Sequence, residues 1–278
     1  MTTLTPAAQA PARRADLERV RLRTGGIVAS EALKLITVRS TWWSIGVSVV
    51  LALALALTLG ASFTADTAMM LGGPALVASG ATVHLQFVGL VIAVLGALTI
   101  GGEYSTGMIR STYTAVPRRL PSLLARGAVV AVAAFLVGVV TCVGSFLIIA
   151  PMLAAKGAEA SLIADGVLQS LLGGAFYLAV IGAFAVGVAA LLRSTAAAIG
   201  ISVGVLFVLP IVASIAGALL QAEWIDEASR FLLSNLGLTL TSLPGEGLIS
   251  GPEAVLASLA WVAVVWIPAL IVTRLRDV

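Results

Sequence analysis

The chain has 278 residues, of which 60% are hydrophobic and only 10% charged, and its mean hydropathy is +1.11. A soluble domain carries about 25% charged residues, so this chain has too little polar material for an aqueous surface and reads as an integral membrane protein. Sixteen Lys and Arg against thirteen Asp and Glu leave a net +3, too little for nucleic-acid binding to lead, while a lone Cys142 and a lone His84 exclude an intrachain disulfide and any metal site that needs two histidines.

In chain order, residues 1–41 read as a cytoplasmic amino-terminal segment and 42–278 as an all-α domain of six transmembrane helices. The stretch nearest the first span reads as an amphipathic helix on the membrane surface, with Ile27, Ala32, Leu35, Ile36, Trp42 and Trp43 apolar and Glu31, Lys34 and Arg39 polar. The simpler reading is a positive flank that only sets topology.

A hydrocarbon core of about 30 Å needs about 20 apolar residues in helix. The uncharged intervals place spans near 42–62, 84–102, 128–150, 167–192, 196–220 and 254–273. Leu51–Leu59 alternates Leu with smaller residues at a strand-like period. The continuous apolar run still decides for helix, because lipid offers an open strand edge no partner. Residues 67–83, with Gly72-Gly73-Pro74, read as an outer loop or a re-entrant piece.

Small residues recur four apart at Gly89, Ala93, Ala97 and Gly101, at Ala175, Ala179, Ala183 and Gly187, and at Ala196, Gly200 and Gly204. Such rows let helices approach closely. Pro210 removes one hydrogen bond inside span five and crowds the Leu206 carbonyl, giving either a hinge or a static bend.

Fourteen of the sixteen basic residues fall before span one, between spans two and three, between spans four and five, or after span six. Only Lys156 and Arg230 fall on the other side, which instead carries Asp66, Glu159, Asp165, Glu223, Asp226, Glu227, Glu246 and Glu253. The expectation is both termini in the cytoplasm and no cleavable signal peptide.

The stretch 101–127, GGEYSTGMIRSTYTAVPRRLPSLLARG, is the most informative. Thr106 suits the cap of a short helix that Pro117 ends, with Ile109, Tyr113 and Val116 on one side and Arg110 and Thr114 elsewhere. It reads either as an ordinary positive loop or as an element that docks on a cytoplasmic partner.

Glu103-Tyr104, Gly107, Arg110, Pro117-Arg118-Arg119, Leu123 and Ala125-Arg126 together resemble the intracellular loop of type-2 ABC exporter permeases. Met108 and Arg126 stand where that family usually has Thr and Lys. SEALKLITVRSTWW (Ser30 to Trp43) is similar to its amino-terminal segment, and LLRSTAAAIG (Leu191 to Gly200) to its turn between spans four and five.

The resemblance implies a permease subunit of a multi-pass cytoplasmic-membrane exporter, working as a dimer with a second permease, identical or related. Two cytoplasmic ABC ATPase subunits would bind ATP and Mg, and membrane lipid would surround the spans. The amino-terminal helix would be the elbow, and Glu103 to Val116 the coupling helix, with Glu103, Tyr104, Gly107, Ile109, Arg110 and Tyr113 facing the ATPase. Spans two and five would line the dimer interface and substrate path, drawing on Gly89, Ala93, Ala97, Gly200, Gly204, Phe207 and Pro210.

Short outer helices are expected between spans five and six, and Glu223 to Leu236 supplies one with Trp224, Ala228, Phe231 and Leu232 on one face and Asp226, Glu227 and Arg230 on another. Ser250, Pro252 and Glu253 form a start signal for span six.

Neither Lys34-Leu35 nor Lys156-Gly157 fits a phosphate-binding loop, so no cofactor and no catalytic or metal site is expected in the chain itself. An ion-coupled secondary transporter or a non-transporting membrane anchor is the alternative. The uncharged spans suit an amphiphilic cargo: a drug, an antimicrobial peptide or a lipid-like molecule.

Overall fold

The computed structural model describes residues 24–107, 119–163 and 166–275. All regular structure among them is helical: α1 (Thr24–Thr37), α2 (Arg39–Ser62), α3 (Ala65–Leu71), α4 (Gly73–Thr82), α5 (Leu85–Thr106), α6 (Arg119–Ala154), α7 (Val167–Leu192), α8 (Thr195–Val203), a π-helical turn (Gly204–Val208), α9 (Leu209–Leu220), α10 (Glu223–Ser229), α11 (Leu233–Thr241) and α12 (Gly251–Leu275).

Among the described residues, six helical runs are long and apolar enough to cross a membrane: Arg39–Ser62, Gly73–Tyr104, Leu120–Ala154, Val167–Leu192, Thr195–Leu220 and Gly251–Leu275. The protein is therefore an all-α polytopic membrane protein with the six spans expected. α7 is the central post, packed by α4, α5, α6, α8, α11 and α12. Spans one, five and six turn much of their surface outward, where large apolar side chains such as Val50, Leu219 and Val264 are exposed. Exposed aliphatic side chains suit a surface solvated by lipid tails.

The sizes of side chains decide which faces meet. In α2 the buried residues are Thr41 and then Ser48, Ala52, Ala56 and Gly60, one small residue per turn from Ser48 on, while Val50 and Leu57 point away. The alternation that mimics a strand in sequence thus becomes a narrow stripe when wound into a helix.

Close approaches elsewhere use the same device. A Cβ on Gly138 of α6 would lie 2.5 Å from the Ala175 Cα of α7, and one on Gly96 of α5 would lie 2.9 Å from the Gly182 carbonyl oxygen. Trp266 of α12 is wedged between Gly127 of α6 and Gly187 of α7, donating its indole N–H to the Ala183 carbonyl at 2.9 Å.

Segment 67–83, expected as an outer loop or a re-entrant piece, is helical on both sides of a turn at Gly72. Gly72 turns the chain at φ 79°, Pro74 lies in the first turn of α4, and α4 runs into α5 through Val83 and His84, both with right-handed helical backbone. Leu76, Val77, Ala78 and Ala81 are buried, and α4 forms the first part of the second apolar run, Gly73–Tyr104. His84, at this junction, is fully buried with neither ring nitrogen partnered.

Glu223 to Leu236 also differs, because it holds two helices rather than one face. The break lies at Arg230–Leu232, where the Asn235 side chain donates to the Ser229 carbonyl and Trp261 of α12 donates to the Phe231 carbonyl. Ile225, Leu233, Leu236 and Leu240 are the buried hydrophobic residues of these two helices, whereas Trp224 and Phe231 stay exposed.

Side chains close two helix termini, the first as its sequence suggests. Ser250 and Glu253 form a reciprocal cap at the start of α12, each backbone N–H reaching the other's side chain. At the same end of the bundle, Lys156 donates to the Gly60, Ala61 and Phe63 carbonyls, placing a cation on the carboxyl end of α2.

Candidate functional site

The site is built where α1, the end of α5 and the start of α6 meet. α6 has 36 residues, about 54 Å of helix at about 1.5 Å per residue, so one span overshoots a core of about 30 Å. Its first two turns therefore belong to the interface, and Arg126 sits there with its side chain 6% exposed.

The guanidinium is held on three sides. Nε donates to Glu31 Oε2 of α1 at 2.6 Å, one terminal nitrogen donates to Glu103 Oε1 of α5 at 2.6 Å, and the other donates to the Thr99 carbonyl at 3.0 Å. Lys34, at the solvent edge, donates to Glu31 Oε1 at 2.9 Å and Glu103 Oε1 at 3.1 Å. Among the described residues, two carboxylates and two cations thus form a network in which each acid meets both bases. Arg is the residue that fits, since its planar fork addresses several acceptors at once.

The local sequence explains the geometry. Ile27, Glu31 and Leu35 are the buried residues of α1 at i, i+4 and i+8, so Glu31 is carried into the protein by two apolar neighbours on its own face. The expected division of this segment is corrected at Glu31, which lies on the buried face, while Ile36 and, at the start of α2, Trp42 and Trp43 are exposed. In a membrane-bound protein those exposed side chains suit the interfacial zone.

Neighbouring contacts extend the site across the same end of the bundle. The Arg193 guanidinium lies over the Tyr104 ring at 5.6 Å, a cation–π contact between the α7–α8 turn and the end of span two. A Cβ on Gly101 would lie 2.1 Å from Thr195 Oγ1, so that turn rests directly on α5. Ser122, Arg126, Ala190 and Thr273 converge beside Ile100 and Tyr104, which puts the close of span six there too. Beside the network, Thr37, Ser40, Leu95, Leu98 and Val129 line a cavity of about 410 Å³ open to the surface.

Of the residues singled out for coupling, Glu103 is in the network, Tyr104 is under Arg193, and Gly107 closes α5 in the left-handed region at φ 73°. Thr106 is the last residue of α5. Ile109, Arg110, Tyr113 and the helix expected to end at Pro117 lie outside the described residues. Glu31 and Arg126 are what sequence reasoning missed as a pair. Their one signal is Glu31 on the apolar stripe set by Ile27 and Leu35.

The path residues divide. Gly89, Ala93 and Ala97 are buried within this chain's own bundle, with Gly89 against Ile181 of α7. Gly200 and Gly204 face open space, and Phe207 and Pro210 line a cavity near the opposite end of the bundle. Pro210 has no N–H for the Leu206 carbonyl, and Gln86 of α5 donates its side-chain amide to that oxygen at 3.3 Å. The backbone accommodates the same spot with a π-helical turn, Leu209 N–H donating to the Gly204 carbonyl.

Comparison with known proteins finds no matching family model and no matching curated protein.

Proposed function

We propose that the chain is the membrane-spanning permease subunit of an ATP-binding-cassette exporter. It sits in the cytoplasmic membrane with the network end inside and pairs with a second permease, identical or related. Two separate ATPase subunits bind ATP and magnesium and drive it. Its cargo is an amphiphile: a drug, an antimicrobial peptide or a lipid-like molecule.

The observation that supports this reading most is the buried network itself. Glu103 precedes residues 107–118 in the chain and Arg126 follows them, so their ion pair ties together the two helix ends that this stretch connects. Glu31 adds the interfacial helix to the same unit. A loop that only joins two spans has no need of such a tie, whereas a loop pushed by an engine must move both spans together. The orientation is supported by the basic residues Lys34, Arg39, Arg126, Arg193 and Arg274 on the network side, against Lys156 and Arg230 on the other.

Arg126→Lys is the direct test, because it keeps the charge and loses the fork. In the purified complex we expect ATP hydrolysis to continue but to stop responding to apolar cationic compounds. Unchanged stimulation, or cargo movement by the chain without any ATPase, contradicts the proposal.

A further inference from the structure

Between the outer half of span two, the bend of span five and α11 lies a cavity of about 640 Å³. Sites for small organic molecules run from about 300 to about 1,000 Å³ and combine apolar walls with a few fixed polar groups. The walls here are Ala78, Leu85, Leu206, Phe207, Pro210 and Leu238.

Two hydroxyls in the wall have no partner: that of Tyr177 on α7 and that of Ser234 on α11, on residues 3% and 7% exposed. A buried hydroxyl without a hydrogen bond is costly, and nearby hydroxyls avoid that state. Thr82, Thr239 and Thr241 each donate to a carbonyl four residues back. Ser234 is the second residue of its helix and has no helical carbonyl behind it.

Tyr177 reaches the cavity because α11 has a glycine where its ring passes. A Cβ on Gly237 would lie 2.5 Å from the Tyr177 Cζ. The other wall amides are engaged, Gln86 with Leu206 and Asn235 with Ser229. Glu246 is the one charged side chain among the described lining residues, and it is exposed, at the mouth.

We propose that this cavity binds an apolar organic cation. Its hydrocarbon body lies against the aliphatic walls, its N–H or O–H groups bond the Tyr177 and Ser234 hydroxyls, and its charge lies toward Glu246. That the ligand is cargo rests on the permease reading, but the binding itself requires no ATPase.

The test uses ethidium, a flat cation with two aromatic amines, titrated by fluorescence into the full chain in phosphatidylcholine nanodiscs without nucleotide or ATPase. Saturable binding is expected, weakened about three- to tenfold by Tyr177→Phe and by Ser234→Ala, the worth of one hydrogen bond each. Glu246→Gln is expected to weaken it further at low salt than at high salt. Because both hydroxyls are unpartnered without ligand, neither substitution is expected to lower the melting temperature of the empty protein.

Absence of saturable binding, equal affinity in both hydroxyl variants, or a lowered melting temperature of the empty variants overturns the proposal. Any of these leaves the ATPase assignment standing. Failure to find an ATPase leaves the binding result standing.

Discussion

Removing the Arg126 guanidinium takes the buried cation away from two carboxylates only 4% and 9% exposed, leaving them the half-exposed Lys34 among the described residues. Breaking one partner out of a buried ion network costs about 3–5 kcal/mol, because the desolvation remains when the attraction is gone. Arg126→Met is expected to lower the melting temperature strongly. Adding Glu31→Gln and Glu103→Gln to it should restore much of the loss, and failure of the triple variant to recover would contradict the network as the cause. Lys156 works by a simpler route, its ammonium resting on three carbonyls at the end of α2. Lys156→Met should cost about 1–2 kcal/mol by thermal melting, as expected for a cation lost from a helix carboxyl end. Packing gives a third prediction. A methyl on Gly127 would meet the Trp266 ring at 2.2 Å, so Gly127→Ala should destabilise by about 1–3 kcal/mol, and Trp266→Leu should relieve that strain in the double variant. Equal melting of Gly127→Ala and the parent protein would show that the ring moves aside freely.

Pro210 and Gln86 belong to one element-scale device. The proline withholds a donor from Leu206, and the amide from span two supplies one, so the bend of span five is fastened to α5. Gln86→Leu should destabilise in the parent and do so less with Pro210→Ala, where a backbone N–H returns; a double-mutant cycle with no coupling would separate the two features. The same scale shows what the chain reveals when read as letters. The six spans are legible because lipid imposes one demand, a long uncharged helix, which leaves its mark in any stretch that meets it. The cap at Ser250 and Glu253 is legible because both partners are three residues apart. Segment 67–83 is not, since its Gly-Pro start reads equally as a turn and as the first turn of a helix. Nor is the break near Arg230, which depends on Trp261 of another helix reaching the Phe231 carbonyl. Glu31 and Arg126 stand far apart in sequence, and nothing local to either one announces the other.

At the scale of the whole molecule, the bundle has a tied end and a hollow end. The tied end joins α1, the close of span two, the start of span three and the α7–α8 turn through ion pairs and the Tyr104–Arg193 contact. The hollow end holds the cavity beside the bend at Pro210. On the permease reading proposed above, a push at the first would open the second; span five is the least enclosed of the six spans. On the same proposed reading, the intracellular loop expected at 107–118 is where the driving protein would be felt. Cys142, the single cysteine, is buried, so a cysteine placed in that loop is a clean reporter. The measurement is Ile109→Cys in the full chain, in native membranes, labelled with a membrane-impermeant maleimide from either side and then cross-linked, with the attached polypeptide identified by mass spectrometry. The account predicts labelling from the cytoplasmic side alone and a cross-link to an ATP-binding-cassette ATPase subunit. Labelling from the outside, or a cytoplasmic cysteine that reaches no ATPase while transport proceeds, would contradict it.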